Sequence, residues 1–224
     1  MERKDIINFL IENNSYDSYL EIGVFIPDHN FNHIKILNKD GVDPGPHIAL
    51  YPPPIGNAYN MKSDEFFDQY CKPTWWNETI KTYDIIFVDG LHLFHQAHVD
   101  IENSLKVLND GGTIVVHDCN PIDKHRTRPM EEFLKDGKAW NGTTYQAIMK
   151  LRSERDDIVI ETVDTDEGCT IIRRGKSKLF SKRNEIDYDS DNIYEFFSEH
   201  RQEILNLISV EEFKNKYKVR VKHG

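Results

Sequence analysis

The stretch from Tyr83 to Pro121 constrains the fold more than any other part of the chain. It opens with Ile85-Ile86-Phe87-Val88 and closes with Thr113-Ile114-Val115-Val116. Unbroken β-branched and aromatic runs suit strands covered on both faces, as in parallel sheets. Between them Phe94, Ala97, Ile101, Leu105 and Leu108 recur at spacings of three and four, which marks one buried helix face. Asn109-Asp110-Gly111-Gly112 then breaks that helix. Strand, helix, strand in this order predicts a right-handed crossover between parallel strands. Both strands run out into polar residues, Asp89-Gly90-Leu91-His92 and His117-Asp118. Open α/β sheets bind ligands beyond the carboxyl ends of their strands, so Asp89, His92 and Asp118 are expected to face one cleft. A plain Asp-Gly turn followed by a solvated helix start is the competing reading. Two adjacent strands with matched polar ends favour the cleft.

Upstream, Ile6, Ile7, Leu10 and Ile11 make residues 3–13 an amphipathic helix packed on the sheet edge. Tyr19 to Val24 reads as a first strand ending in a turn, with Glu21 two residues before Gly23. Glycine there lets a ligand approach the backbone. The continuation Phe25-Ile26-Pro27-Asp28-His29-Asn30 has none of the further glycines of a pyrophosphate cradle. Twenty residues beyond Gly23 stands Asp43, the spacing at which a second strand presents a carboxylate to ribose hydroxyls. Residues 44–57 are a Pro- and Gly-rich loop beside the cleft, and 58–62 form a short third strand. Ser63 is expected to cap the next helix, and a second short helix is expected from Thr74 to Lys81 with Trp75 and Trp76 packing.

Residues 120–141 read as a long polar connection, with His125, Arg126 and Arg128 as candidates for acceptor contacts. A helix follows from Thr143 to Arg152. Two strands, Ile158–Val163 and Cys169–Arg173, are joined closely enough to be an antiparallel hairpin. The apolar residues between Ile193 and Tyr217 require that segment to pack back on the core or to make a dimer contact. His92, His95 and His98 are three apart, which places His98 about 240° round a helix from His92, so the three cannot meet at one ion.

The 224 residues suffice for one α/β domain with a short appendage. A net charge of −10 argues against a nucleic-acid partner, where affinity rests on Lys and Arg. Cys71, Cys119 and Cys169 show neither disulfide nor zinc spacing, and the polar N-terminus and absence of a membrane-spanning run point to the cytoplasm.

Six motifs bear a family resemblance: Tyr19–Val24, Gly41–Pro44, Ser63–Phe67, Phe87–His92, Gly111–Pro121 and Trp140–Thr143. Over residues 18–174 the chain resembles the class I S-adenosylmethionine-dependent methyltransferases. The likeness is greater to the small O-methyltransferases that accompany polysaccharide and antibiotic-sugar genes. The resemblance implies a doubly wound, mostly parallel seven-stranded α/β sheet with an antiparallel C-terminal hairpin. Beyond it, charge and loose patterning make 176–192 a linker between a Rossmann-like domain at 1–175 and a helical extension at 193–224. The resemblance further implies that Glu21 and Gly23 contact the methionine end of S-adenosylmethionine, that Asp43 holds its ribose, and that Ser63 and Asp64 lie near the adenine. Asp89 would border the cofactor and take part in catalysis, with His92 as base. In related sugar enzymes Asp89 and an acidic pair after the fifth strand bind a divalent metal, usually Mg2+. Here that pair is His117-Asp118, which leaves Asp89 and Asp118 as metal candidates. The expected acceptor is a small molecule or glycan. The alternatives are a non-catalytic scaffold of the same fold and a nicotinamide-dependent oxidoreductase, the latter disfavoured by the missing glycines.

Overall fold

The structure is a computed structural model and describes residues 1–50, 53–73 and 80–218. In chain order, α1 (Arg3–Asn14), β1 (Ser18–Ile22), β2 (Asn38–Val42), α2 (Pro46–Leu50), β3 (Asn57–Tyr59) and α3 (Ser63–Tyr70) make up the first half. They are followed by β4 (Tyr83–Val88), α4 (Phe94–Val107), β5 (Leu108–Val116), α5 (Met130–Asp136) and α6 (Thr144–Glu154). The chain ends with β6 (Ile158–Val163), β7 (Cys169–Arg174), α7 (Ile193–Leu205), β8 (Leu207–Ile208) and α8 (Val210–Tyr217). The expected helix with Trp75 and Trp76 falls largely outside the described residues.

One sheet has the order β3-β2-β1-β4-β5-β7-β6-β8. Strands β1 to β5 pair in parallel, and β7 enters antiparallel between β5 and β6. The two-residue β8 adds an eighth strand, parallel to β6, to the seven expected.

Side-chain alternation divides the core into two layers. Ile86, Val88, Ile114 and Val116 face α3, α4, α6 and α7, through residues such as Phe66, Ile101, Ile148 and Phe197. Ile85, Phe87 and Val115 face the other way, onto Ile6, Ile7 and Leu10 of α1 and Phe213 of α8. Continuous apolar runs are therefore strands covered twice.

Several expectations are revised: the loop expected at 44–57 holds the short α2, the third strand is Asn57–Tyr59 and not 58–62, and the connection expected at 120–141 holds α5. Two further boundaries also differ. Leu108 opens β5 instead of closing α4, because the strand register shifts between Tyr83 and Ile85 and absorbs Asn109–Gly112 into the ladder. Ser63 is the first helical residue and not the cap, and its Oγ accepts from Gln96 Nε2 at 3.3 Å. The charged stretch 176–192 contains fully buried Phe180, and its Tyr188 ring stacks on Phe94 at 5.3 Å. No helix among the described residues is long and apolar enough to cross a membrane.

Candidate functional site

Strand register builds the site. Ile22 pairs with Val42 on one side and Val88 on the other, and Val88 pairs with Val116. The ladder extends one step further through Gly23 N–H to Val42 O, Asp89 N–H to Ile22 O and His117 N–H to Val88 O. Gly23, Asp43, Asp89 and His117, each the first residue past its strand, thus stand side by side along the carboxyl edge. They border a cavity of about 740 Å³, whose walls also hold Glu21, Ser63, Asp64, His92 and Asp118. That volume lies inside the range of roughly 300–1,000 Å³ usual for small-molecule sites.

At the β1 end, Glu21 is 1% exposed. One of its oxygens accepts from Tyr19 Oη at 2.5 Å and from Asn30 Nδ2 at 2.8 Å. Burial pushes its carboxyl up to about 8, against the pull of those two donors. Gly23 has φ +88°, and a Cβ there would stand 2.1 Å from the Asp89 carbonyl oxygen. Only glycine lets the turn after β1 lie so close to the end of β4. Asp43 accepts from Phe25 N–H at 2.8 Å and Gly45 N–H at 2.6 Å, one bond to each oxygen. A carboxylate has about four acceptor positions, so two remain for ligand hydroxyls. Further along the wall, Gln96 Nε2 reaches Ser63, Asp64 and Asp100. Burial raises the Asp100 carboxyl to about 6.

The centre of the site is a knot of acids and imidazoles. His92 Nε2 is 3.2 Å from Asp89 Oδ1, and its Nδ1 is 3.2 Å from Asp118 Oδ2. His117 Nδ1 lies 3.3 Å from Asp89 Oδ1 and 3.2 Å from Asp118 Oδ2. Behind it, His117 Nε2 meets Arg3 Nη1 at 3.1 Å and Asp166 Oδ2 at 3.6 Å. Burial alone would raise the Asp89 carboxyl, but His117 and His92 outweigh it and hold it well below the usual carboxylate range. Burial likewise disfavours charge on both imidazoles, yet their carboxylate neighbours lift both above their ordinary value. Asp118 sits at φ +59°, a conformation Asp tolerates better than most residues, and Asn141 Nδ2 donates to its Oδ1 at 2.6 Å.

His92 is held from outside its own turn. Its ring stacks on Trp140, with centroids 5.6 Å apart, and Trp140 stacks on Phe133 at 4.8 Å. Gly142 packs on the His92 carbonyl, and Thr143 Oγ1 accepts from Phe94 N–H at 2.7 Å, capping α4 from a distance. The acceptor candidates in the same segment do not reach the cavity. Arg128 is 6% exposed and spends its guanidinium on Asp136 and the carbonyls of His125, Lys138 and Ala139. Arg126 pairs with Glu167, and His125 lies 3.7 Å from Asp136.

The structure thus gathers all eight candidates (Glu21, Gly23, Asp43, Ser63, Asp64, Asp89, His92 and Asp118) on one cavity. It adds Arg3, Asp100 and His117 to the walls, with Asp166 behind. His117 could have been found from its place one residue past β5. Arg3 and Asp166 carry no sequence signal, since α1 and the β6–β7 turn meet only in the folded chain.

Residues 41–119 match a family model described as a methyltransferase domain. The fold is that of a methyltransferase. Solved structures with this architecture include the SAH-bound methyltransferase of Podospora anserina, with 15% identity over 78% of each chain and a TM-score of 0.55. The O-methyltransferase TomG of Streptomyces achromogenes, in complex with SAM, is 12% identical over 77% of this chain and 79% of its own, with a TM-score of 0.52. An O-methyltransferase from Bacillus cereus, in complex with SAH, is 13% identical over 77% and 80%, with a TM-score of 0.51. None of the curated proteins compared matches this chain.

The residues present fit an adenosyl ligand: the glycine turn leaves the backbone approachable, and Asp43 keeps two acceptor positions. They do not fit Mg2+, which favours oxygen ligands and retains several waters. Imidazole nitrogens stand 3.2–3.3 Å from the oxygens that would bind it.

Proposed function

We propose that this chain is an S-adenosylmethionine-dependent O-methyltransferase whose acceptor is a sugar or another polyhydroxylated small molecule. The observation that carries the reading is that Glu21, Asp43 and Asp89 line one cavity around the Gly23 turn. When bound, S-adenosylmethionine supplies a methyl group activated by a sulfonium cation. Glu21 and Gly23 hold the amino-acid end, Asp43 the ribose, and Ser63 and Asp64 the adenine side. The acceptor hydroxyl lies by Asp89 and His92, and His92, in its neutral form, takes its proton. Holding the reactants in line can contribute several kcal/mol to lowering the barrier, about 7–11 at best. The stack on Trp140 and the Asp89 contact fix the His92 ring for that role.

The acceptor class is supported by the likeness of the six motifs to sugar O-methyltransferases. The same likeness suggests a place in polysaccharide biosynthesis. Three buried free cysteines suit a reducing compartment such as the cytoplasm. The partly exposed faces of α7 and α8 are where a homodimer contact would form.

Calorimetry with S-adenosylmethionine and with NAD tests the assignment directly. Binding of the first and not the second is expected, whereas no binding of either at millimolar concentration would leave a scaffold. His92→Ala should lower turnover about 10²–10⁴-fold while S-adenosylhomocysteine still binds. Parental turnover in that variant removes His92 as the base.

A further inference from the structure

Two groups on the cavity wall have unused hydrogen-bonding capacity, and they are of opposite kind. Arg3 opens α1 and lines the cavity beside Asp89. Its main-chain N–H and its Nη1 are engaged by Asp166, at 2.7 and 3.4 Å, and Nη1 also meets His117 Nε2 at 3.1 Å. The other edge of the guanidinium is free. Nε is 3.9 Å from Asp89 Oδ2, too far for a hydrogen bond, and Nη2 makes none among the described residues. Nε–H and one Nη2–H lie parallel along that edge, a two-donor fork that fits a carboxylate.

Asn30 is the complementary group. It stands between two short turns, Pro27–His29 and Phe31–His33. Buried Lys39 fixes the second turn by donating to the carbonyls of Phe31 and Ile34, at 2.7 and 3.0 Å. Asn30 is 3% exposed, and its Nδ2 donates to Glu21 Oε2 at 2.8 Å and Tyr19 Oη at 3.2 Å. Those acceptors settle which way the amide faces. They leave Oδ1 buried, without a partner among the described residues, in a side chain that lines the cavity. A buried acceptor lacking a donor is unfavourable, and a ligand N–H relieves it. Both groups adjoin Glu21: Asn30 bonds to it, and the Arg3 charge works against the rise of its carboxyl.

We propose, on the assignment of this cavity to S-adenosylmethionine, that Arg3 Nε and Nη2 bind the carboxylate of its amino-acid end while Asn30 Oδ1 accepts from its ammonium. A guanidinium fork and a bare amide oxygen beside one buried acid match an α-amino-acid zwitterion. The amide is neutral, so the ammonium's charge is answered by Glu21, and Asn30 fixes its direction. Neither residue belongs to the six motifs of the sequence resemblance. The N-terminal helix thereby becomes part of the cofactor site.

Calorimetry on the full chain compares S-adenosylhomocysteine with its decarboxylated and its deaminated analogues. Wild type should bind S-adenosylhomocysteine about 10–100-fold more tightly than the decarboxylated form. Arg3→Gln should erase that preference without changing affinity for the decarboxylated form, and Arg3→Lys should restore part of it. Asn30→Ala should narrow the preference over the deaminated form about tenfold and leave the carboxylate preference in place. Far-UV circular dichroism checks that each variant folds. Equal weakening of both probes in Arg3→Gln would mean that Arg3 acts only by holding the fold, and it overturns the inference. So does an amino preference that survives in Asn30→Ala, or equal binding of S-adenosylhomocysteine and the decarboxylated form by wild type, a comparison that needs no variant. If wild type binds no S-adenosylhomocysteine, the proposed function falls as well. Binding with the carboxylate preference intact in Arg3→Gln sinks this inference alone.

Discussion

Glu21 is a buried acid on the wall of the cavity. Its carboxyl is pushed up to about 8, so at neutral pH it holds a proton until something cationic arrives. If the ammonium of S-adenosylmethionine binds the ionised form, binding expels that proton. Affinity should then fall as pH drops below about 8, approaching tenfold per unit, the equivalent of roughly 1.4 kcal/mol. Calorimetry between pH 6.5 and 9, in two buffers of different ionisation heat, reads both the slope and the released proton. A flat profile without proton release would mean the ammonium lies elsewhere. Gly23 permits a sharper expectation. Gly23→Ala forces a Cβ to within 2.1 Å of a backbone oxygen at φ +88°, so it should cost roughly 3 kcal/mol or more in denaturant midpoint and abolish cofactor binding. Residues of this kind were legible because each sits at or just past a strand end, where topology alone assigns a direction. Arg3 was not, because an arginine opening an amphipathic helix looks like any solvated charge.

At the scale of elements, apolar runs identified β4, β5, β6 and β7, whose Ile, Val and Phe residues are covered on both faces. The segment from 123 to 143 escaped that reading. Its composition is polar, yet a buried arginine organises it: Arg128 gathers three carbonyls and Asp136, and Trp140 Nε1 donates to Arg128 O at 2.7 Å. Periodicity cannot reveal an element whose core is a guanidinium and its acceptors. The consequence is that His92 depends on Arg128 at second hand, through Trp140. Arg128→Ala leaves those carbonyls without their donor, at a cost of roughly 1–3 kcal/mol each where they stay buried. The expected result is faster hydrogen exchange at Asn141 and Gly142, whose amides bond to Arg126 O, with the amides of β4 unchanged. Turnover should fall more than cofactor affinity does. Equal exchange in wild type and variant would show that the segment is held some other way.

Over the whole molecule, the termini close the site that the middle of the chain builds. Arg3 N–H bonds to Asp166 at 2.7 Å, and Thr165 Oγ1 donates to Met1 O at 2.7 Å, so α1 is tied to the turn between β6 and β7. From the far end, β8 pairs with β6, and Tyr217 Oη donates to buried Glu161 at 2.8 Å. Fully buried Phe213 packs on Phe9 of α1 with centroids 5.1 Å apart. The C-terminal helix therefore braces the N-terminal one, and through Arg3 it braces His117. An apolar pattern could foretell that 193–217 packs, but only the fold shows what it packs against. Phe213→Ala should cost about 3–5 kcal/mol if the sheet and this layer unfold together. Local opening gives a different signature, with α1 and α8 amides exchanging well before those of β4 and β5. Because α4 packs on β4 and β5 from the opposite face, the local result is expected, with activity lost at temperatures where the far-UV signal is intact. If exchange in α1 keeps pace with β4 across the denaturant series, the last helix stabilises the whole domain and gives no separate support to Arg3.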